Sequence, residues 1–415
     1  MNNEIKTQLQ QREFAVLKGQ RRTLLKWATG CGKSKMAIDL INHTVEQSRL
    51  VTKPIKALFV VAERAHIKNW QLEFEKWNLS ERVHTTIICY NSLKKYADAH
   101  YDILVMDECH HAFSEKRLEI LKEIGQHSFS FWNIILLSAT LSRGKQDTIE
   151  DIFGKFTTST VTLKDAIQSD ILPDPKVYVV ALELNDEDVD QELRVNKAND
   201  DSPVVSWEQR NKYLFKNRPC IIKCTEKQKY IYYTTTMEYW KQRYERSKNQ
   251  FHHNLWVNMG SVRKRFLGEL KTKVVRSLLG QMPANKRYVC FCASVAQAEN
   301  LCAKDTISSK KSSKHNQAII DAFNGRKTNQ IYAVGMITEG MNLTDIQVGI
   351  IVQLDGKERL FIQKFGRSMR AEDPVSFIFY YKDTQDENYL KNALENIDSK
   401  YVQHISINQL KAIKL

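Results

Sequence analysis

The sequence predicts an α/β protein in which two parallel-sheet domains flank a helical, basic segment. Three observations predict it. Short apolar, β-rich runs alternate with amphipathic helical patterns over the first 170 residues. The same alternation resumes at "KRYVCFC", residues 286–292. Between them lies a cationic stretch with helical spacing and no strand-like run.

The first strands are read at "TLLKWAT", "ALFVVA", "HTTIICY", "YDILVMD" and "NIILLSAT", with helices such as "SKMAIDLINHTVEQ" and "HIKNWQLEFEKW" between them. The runs are continuously apolar instead of alternating, which suits a sheet covered on both faces. Two prolines in "SDILPDPK" mark the end of this domain, taken as residues 1–172. The acidic "NDEDVDQE" and turn-rich "NKANDDSP" follow and are read as exposed loop. From Thr225 to Gln281 the pattern is helical, and Lys241 to Arg276 holds ten Lys or Arg against two Glu. Residues 173–275 are therefore read as a linker plus a basic helical insertion. "KRYVCFC", "QIYAVGM", "QVGIIVQL" and "VSFIFYY" supply the second sheet, over 276–400, and 401–415 form a C-terminal extension.

A chain of 415 residues has room for two or three cores. Its 42% hydrophobic and 27% charged residues are those of a soluble globular protein. The net charge of +14 favours a polyanionic partner such as nucleic acid. The N-terminus is polar, with no signal-peptide pattern, and no run of 18 apolar residues predicts a membrane span. Eight scattered cysteines, several inside strand-like runs, indicate buried thiols in a reducing, cytoplasmic setting. Cys220 and Cys224 have no second pair at zinc-ligand spacing.

The stretch "DECHH" places Asp107, Glu108, Cys109, His110 and His111 side by side. In isolation it reads as a zinc site, a hydrolytic carboxylate pair or a strand end without chemistry. The choice turns on "KWATGCGKSKMAI", which follows one predicted strand and opens a helix. There Gly30 and Gly32 let backbone N–H groups face a phosphate chain, Lys33 supplies a mobile cation, and Ser34 is placed for Mg²⁺. The helix N-terminus adds partial positive charge. Trp27 stands where such loops have their first glycine. A nucleotide loop of this kind needs an acidic residue at a neighbouring strand end, so Asp107 is assigned the metal and Glu108 the proton of the attacking water. His110 is expected to sense the nucleotide or bond to the next motif, and His111 to be a bystander. "LLSATLSRG" offers Ser138 and Thr140 at another strand end, 31 residues after Asp107 for the first of them. "FIQKFGRSMRAEDP" places Gln363, Gly366, Arg367 and Arg370 on a loop-to-helix turn, from which the arginines can reach a γ-phosphate across a cleft.

Together these motifs resemble the superfamily 2 helicases, of the DEAD/DEAH-box (DECH-type) style and similar to bacteriophage-encoded DNA helicases. "ATGCGKS" looks like motif I, "FVVAERAHIKNW" like motif Ia, "DECH" like motif II and "SAT" like motif III. "GMITEGMNLTDIQVGIIVQL" looks like motif V and "QKFGRSMR" like motif VI, while "ICYNSLKKY" resembles the motif Ib neighbourhood. The chain departs from the pattern at Ala62, usually proline, and Asn342, often Asp.

The resemblance implies two RecA-like domains closing on ATP and Mg²⁺, with nucleic acid, DNA by preference, lying across both. On that basis Thr29, Gly30, Cys31, Gly32, Lys33, Ser34 and Gly340 bind nucleotide, and Ser34 and Asp107 hold the metal. Glu108, Lys33, Gln363, Arg367 and Arg370 carry hydrolysis. Gln10 or Gln11 contacts adenine, the register being ambiguous. Arg64, Lys68, Arg263, Lys264 and Arg265 are assigned to nucleic acid, the last three by charge density, as are the nearby Lys271 and Lys273. Tyr233, Met237, Trp240 and Tyr244 fall at helical spacing and read first as packing, second as a base-stacking surface. The expected activity is ATP-dependent movement on, and unwinding of, DNA. The alternatives are an RNA helicase and a DNA-stimulated motor or annealing factor without strand separation. Replication or recombination proteins are the expected partners, with no membrane, in the cytoplasm or host cytoplasm.

Overall fold

The computed structural model describes residues 3–48, 53–126, 131–195, 220–335, 343–354, 365–366, 371–395 and 397–413. Six strands form the first sheet: β1 (Arg22–Trp27), β2 (Ile55–Val61), β3 (Val83–Cys89), β4 (Ile103–Met106), β5 (Asn133–Ser138) and β6 (Thr157–Val161). Their order is β3-β2-β4-β5-β1-β6, every pair parallel. Helices α1 (Asn3–Leu17), α2 (Lys33–Gln47), α3 (Arg64–Lys76), α4 (Glu115–Gln126), α5 (Arg143–Phe153) and α6 (Leu163–Gln168) accompany it. Every residue of β4 and β5 is buried, as their unbroken apolar runs demand.

The chain crosses to the second sheet immediately after the two prolines. There β7 (Lys176–Leu182) is followed by a separate antiparallel ladder of β8 (Gln191–Val195) and β9 (Cys220–Cys224). A helical hairpin of α7 (Glu226–Ser247) and α8 (Gln250–Leu270) leads into α9 (Thr272–Leu279). The rest of the second sheet comes from β10 (Tyr288–Phe291), β11 (Thr306–Ser308), β12 (Gln330–Val334), β13 (Val348–Ile351), β14 (Val375–Tyr381) and β15 (Val402–Ile405). They alternate with α10 (Val295–Cys302), α11 (Ser313–Asn324), α12 (Gln385–Leu394) and α13 (Ile407–Ala412). The order is β11-β12-β10-β13-β14-β7-β15, again all parallel. The molecule is thus two RecA-like parallel-sheet domains with a helical segment between their strands.

Two segments read as linker and C-terminal extension contribute strands to this second sheet. The run "VYVVAL" registers along the whole of β14, Lys176 opposite Val375 through Leu182 opposite Tyr381. "VQHI" then adds an edge strand on the far side of β7.

The basic segment is helical as expected, but its charges are not all on the surface. Lys271 is fully buried, its ammonium 2.6 Å from Asp386 Oδ2 and donating to Gln353 Oε1 at 2.9 Å. Arg263 is also buried, donating to Thr234 Oγ1 and Gln385 Oε1 with its guanidinium over the Tyr230 ring. The phosphate role expected of these two is corrected: a charge taken out of water must be matched inside the protein, and both are. Arg265 and Lys273 are exposed and Lys264 half-buried. The aromatic stripe is packing between helices, with Tyr233 edge-on to Phe266 and Trp240 stacked on His252.

Candidate functional site

The loop between β1 and α2 is shaped by two left-handed glycines, Gly30 at φ +95° and Gly32 at φ +93°. A Cβ on Gly32 would collide with the Gln10 side-chain nitrogen, so backbone conformation and crowding both require glycine there. Trp27 explains the missing first glycine. It is the last residue of β1, its ring is fully buried, and its indole N–H donates to Ser159 Oγ at 2.7 Å.

Three loop carbonyls are occupied from within the protein. Lys33 Nζ donates to Trp27 O at 2.9 Å, Lys6 Nζ to Gly30 O at 2.7 Å, and Gln10 Nε2 to Cys31 O at 3.0 Å. Among the described residues no side chain caps the start of α2, so its first N–H groups keep the partial positive charge that attracts a phosphate. Gln10 is buried against the loop and Gln11 is exposed. Lys6 went unnoticed in the sequence; its only signal there is its place one turn before Gln10. The Cys31 thiol is fully buried, and burial pushes its pKa up.

The carboxylates stand at the end of β4, two strands from the loop across β5. Asp107 N–H extends the ladder by donating to Val60 O. Its Oδ2 accepts from Trp70 Nε1 at 2.9 Å, and its Oδ1 from the Glu108 N–H at 2.9 Å. Burial, then the negative charge of Glu108, pushes its carboxyl above the usual range; His66, the Trp70 hydrogen bond and Lys33 pull it down. Glu108 adopts φ +46°, a left-handed conformation of the kind that clusters at functional sites. Its Oε2 lies 3.3 Å from His110 Nδ1, which is 3.2 Å from Ser138 Oγ. Ser138 Oγ in turn donates to Thr140 O at 2.8 Å. His110 therefore bonds to the next motif, one of the two roles expected of it. Among the described residues no group of three or more His, Cys, Asp or Glu could hold a metal by itself.

Helix α3 presents different residues to its two sides. His66 and Trp70, four apart, are buried against the strand end, while Arg64 and Lys68, also four apart, are exposed. The sequence pointed to the two cations and missed the pair behind them. The second domain reaches the loop at Gly366, where an added Cβ would lie 3.1 Å from Thr29 Cβ. Its neighbour Phe365 is fully buried in an apolar cluster that also contains Leu172 and residues of both sheets. Gln363, Arg367, Arg370, Gly340 and Asn342 lie outside the described residues.

Both halves of this arrangement match family models. Residues 2–95 match the type III restriction enzyme res subunit, and residues 270–372 match the helicase conserved C-terminal domain. The chain is a superfamily 2 helicase. As such it is a nucleic-acid-dependent ATPase. Among curated proteins no sequence match was found. The helicase is similar in fold to S. cerevisiae Dbp5 bound to RNA and ADP BeF3, with TM-score 0.60 at 11% identity, over 97% of this chain and 90% of that one. It is also similar to the Pyrococcus furiosus Hef helicase domain, with TM-score 0.51 at 13% identity, over 93% and 98%. A third structure, the type ISP restriction-modification enzyme LlaBIII bound to DNA, matches with TM-score 0.53 at 12% identity, over 97% of this chain and 31% of that one.

Helicases of this class use ATP, normally with Mg²⁺, and the residues present fit both. The left-handed glycines and uncapped helix start suit a phosphate chain. The crowded negative charge of Asp107 and Glu108, beside a buried His66 whose Nδ1 has no hydrogen-bond partner among the described residues, is what a divalent cation and its waters would relieve. No helix among the described residues is long and apolar enough to cross a membrane.

Proposed function

We propose that this helicase is a DECH-type ATP-driven motor that moves on and unwinds DNA in the cytoplasm. The observation that carries the reading is convergence: Gly366 of the second domain packs against Thr29 of the loop, and the loop's Lys33 is close enough to the strand-end Asp107 to draw its carboxyl down. Ser34 and Asp107 would hold Mg²⁺, whose contribution is to neutralise charge developing on the phosphates. Gly30, Cys31 and Gly32 cradle the phosphate chain with Thr29, Lys33 releases Trp27 O to bind it, and Gln10 lies within reach of a base on its loop-facing side. Glu108 takes the proton of the attacking water, with His110 holding its carboxylate. Gln363, Arg367 and Arg370 flank Gly366 in sequence, so contact of Gly366 with Thr29 favours their acting on the same ATP. Arg64 and Lys68 bind the nucleic-acid backbone, together with Lys264 and Arg265.

DNA is favoured by the "DECH" sequence, the match to a restriction-enzyme motor model, and the likeness to LlaBIII bound to DNA. RNA is the second reading, favoured by the likeness to Dbp5 bound to RNA. The test is ATP-driven displacement of a labelled strand from DNA and RNA duplexes carrying either kind of tail. Displacement on DNA tails supports the proposal; displacement on RNA tails alone replaces it with the second reading. DNA-stimulated hydrolysis without displacement would leave a translocating or annealing motor.

A further inference from the structure

The α7–α8 hairpin ends in a feature that the ATPase does not use. Its base is fixed to the second sheet. Gly268 approaches Ala293 so closely that a Cβ would collide, Gln297 Nε2 donates to Gly268 O at 2.6 Å, and Tyr230 OH accepts from the Gln385 N–H at 2.8 Å. The buried Lys271–Asp386 pair completes this anchor through Gln353, two residues beyond β13. Away from the base, the two helices pack on each other. A helix of 21 residues carries its far end about 30 Å away.

At that end Tyr244 stacks on Trp256 and Trp240 on His252, which closes the hairpin. Those pairs are explained by packing. Phe251 is not: at the start of α8 it is 62% exposed, the sole aromatic among the exposed large apolar side chains of the described residues. Cations precede it closely along the chain. Arg243 lies over Tyr239 and Lys248 over Tyr244, each ring centroid within 6 Å, and Arg246 is exposed beside them. Over residues 238–251 four cations face two carboxylates, one of which pairs with Lys241 at 3.8 Å.

We propose that this tip is a binding site for single-stranded nucleic acid, with unstacked bases lying on Phe251 and phosphates held by Arg243, Arg246 and Lys248. An exposed ring with cations close along the chain is complementary to a polyanion whose π-faces are free. In a duplex those faces are already covered, so stacking selects single strands. The proposal rests on the chain being a nucleic-acid motor. It adds a contact remote from both ATP-binding faces, on an arm that moves with the second domain because its base is fixed there.

The experiment uses the full chain and oligonucleotides bearing 4-thiothymidine or 4-thiouridine. The crosslinked peptide is expected to fall within 239–256. Phe251→Ala should weaken single-strand binding about tenfold while leaving duplex binding and basal ATPase unchanged. Arg246→Glu with Lys248→Glu should lower the log–log salt slope of single-strand binding by roughly 1.4 units. Circular dichroism should show the helices retained in both. If wild type binds single strands, yet both variants bind as tightly and crosslinks map elsewhere, the site is overturned. If Phe251→Ala weakens duplex binding equally, the stacking claim is overturned. Failure of the wild type to bind any nucleic acid would defeat the motor reading itself, a distinct result.

Discussion

Trp70 donates its indole N–H to Asp107 Oδ2 at 2.9 Å, joining the helix that carries Arg64 and Lys68 to the carboxylate assigned to the metal. The ring is held in turn by Phe59 and Phe74, with centroids 5.0 and 5.7 Å away. A shift of α3 caused by nucleic acid would therefore be felt at Asp107. Trp70→Phe keeps the apolar packing and removes the donor. The Mg²⁺ concentration for half-maximal hydrolysis should rise roughly 10- to 100-fold, the usual span for losing a partner of a metal ligand. Titration of ATPase rate against Mg²⁺ measures this, and an unchanged midpoint would mean the bond only packs the helix.

Glu108 is held in a left-handed turn against His110, whose ring reaches Ser138. Glu108→Gln should preserve ATP binding and lower hydrolysis by a factor on the order of 10² to 10⁴. Fluorescent nucleotide titration beside a phosphate-release assay separates the two. Wild-type turnover in this variant would remove Glu108 from the role of base.

Lys271 tests the corrected reading of the basic segment. Lys271→Met leaves Asp386 buried without its cation, at a cost of about 3 to 5 kcal/mol. For a chain of 415 residues, unfolding with about 2.1 cal/mol/K of entropy per residue, that lowers the melting temperature by roughly 3 to 6 °C. Adding Asp386→Asn should recover more than half of the loss, because the amide still accepts from Tyr381 N–H. A single variant as stable as wild type would show that the pair is not buried in solution.

Much of this was legible in the sequence, and the exceptions have physical causes. The central strands were visible because a strand covered on both faces carries an unbroken apolar run, as in "ILVM" and the "IILL" of "NIILLS". Three of the four edge strands of the two parallel sheets escaped detection: "TTSTV" is polar at four of its five positions, "VQHI" at two of four, and "TIS" is only three residues long. The nucleotide loop was readable because its glycines answer to local backbone geometry. Arg263 and Lys271 were misjudged because charge density in sequence does not tell which distant groups will meet a cation, such as Asp386 for Lys271 and Gln385 for Arg263, each more than a hundred residues later. Trp70, Lys6 and His66 were missed for the same reason: their roles depend on tertiary neighbours.

Arg64 and Lys68 are exposed on one face of α3, free of the burial that removed Arg263 and Lys271 from consideration. If both contact phosphates, replacing them with Ala should reduce the log–log salt slope of binding by roughly 1.4 to 1.8 units, with affinity falling similarly across sequences. Fluorescence anisotropy at several salt concentrations reads both quantities. A slope equal to that of wild type would mean the cations are only a solvated face.

The most direct test of the central claim is the ATPase rate of the purified chain, alone and with single-stranded DNA, single-stranded RNA and duplex DNA. The proposed DNA motor should show slow basal hydrolysis, strong stimulation by nucleic acid with DNA foremost, and loss of both in Lys33→Ala. Hydrolysis that no nucleic acid accelerates, or that survives Lys33→Ala, would contradict it.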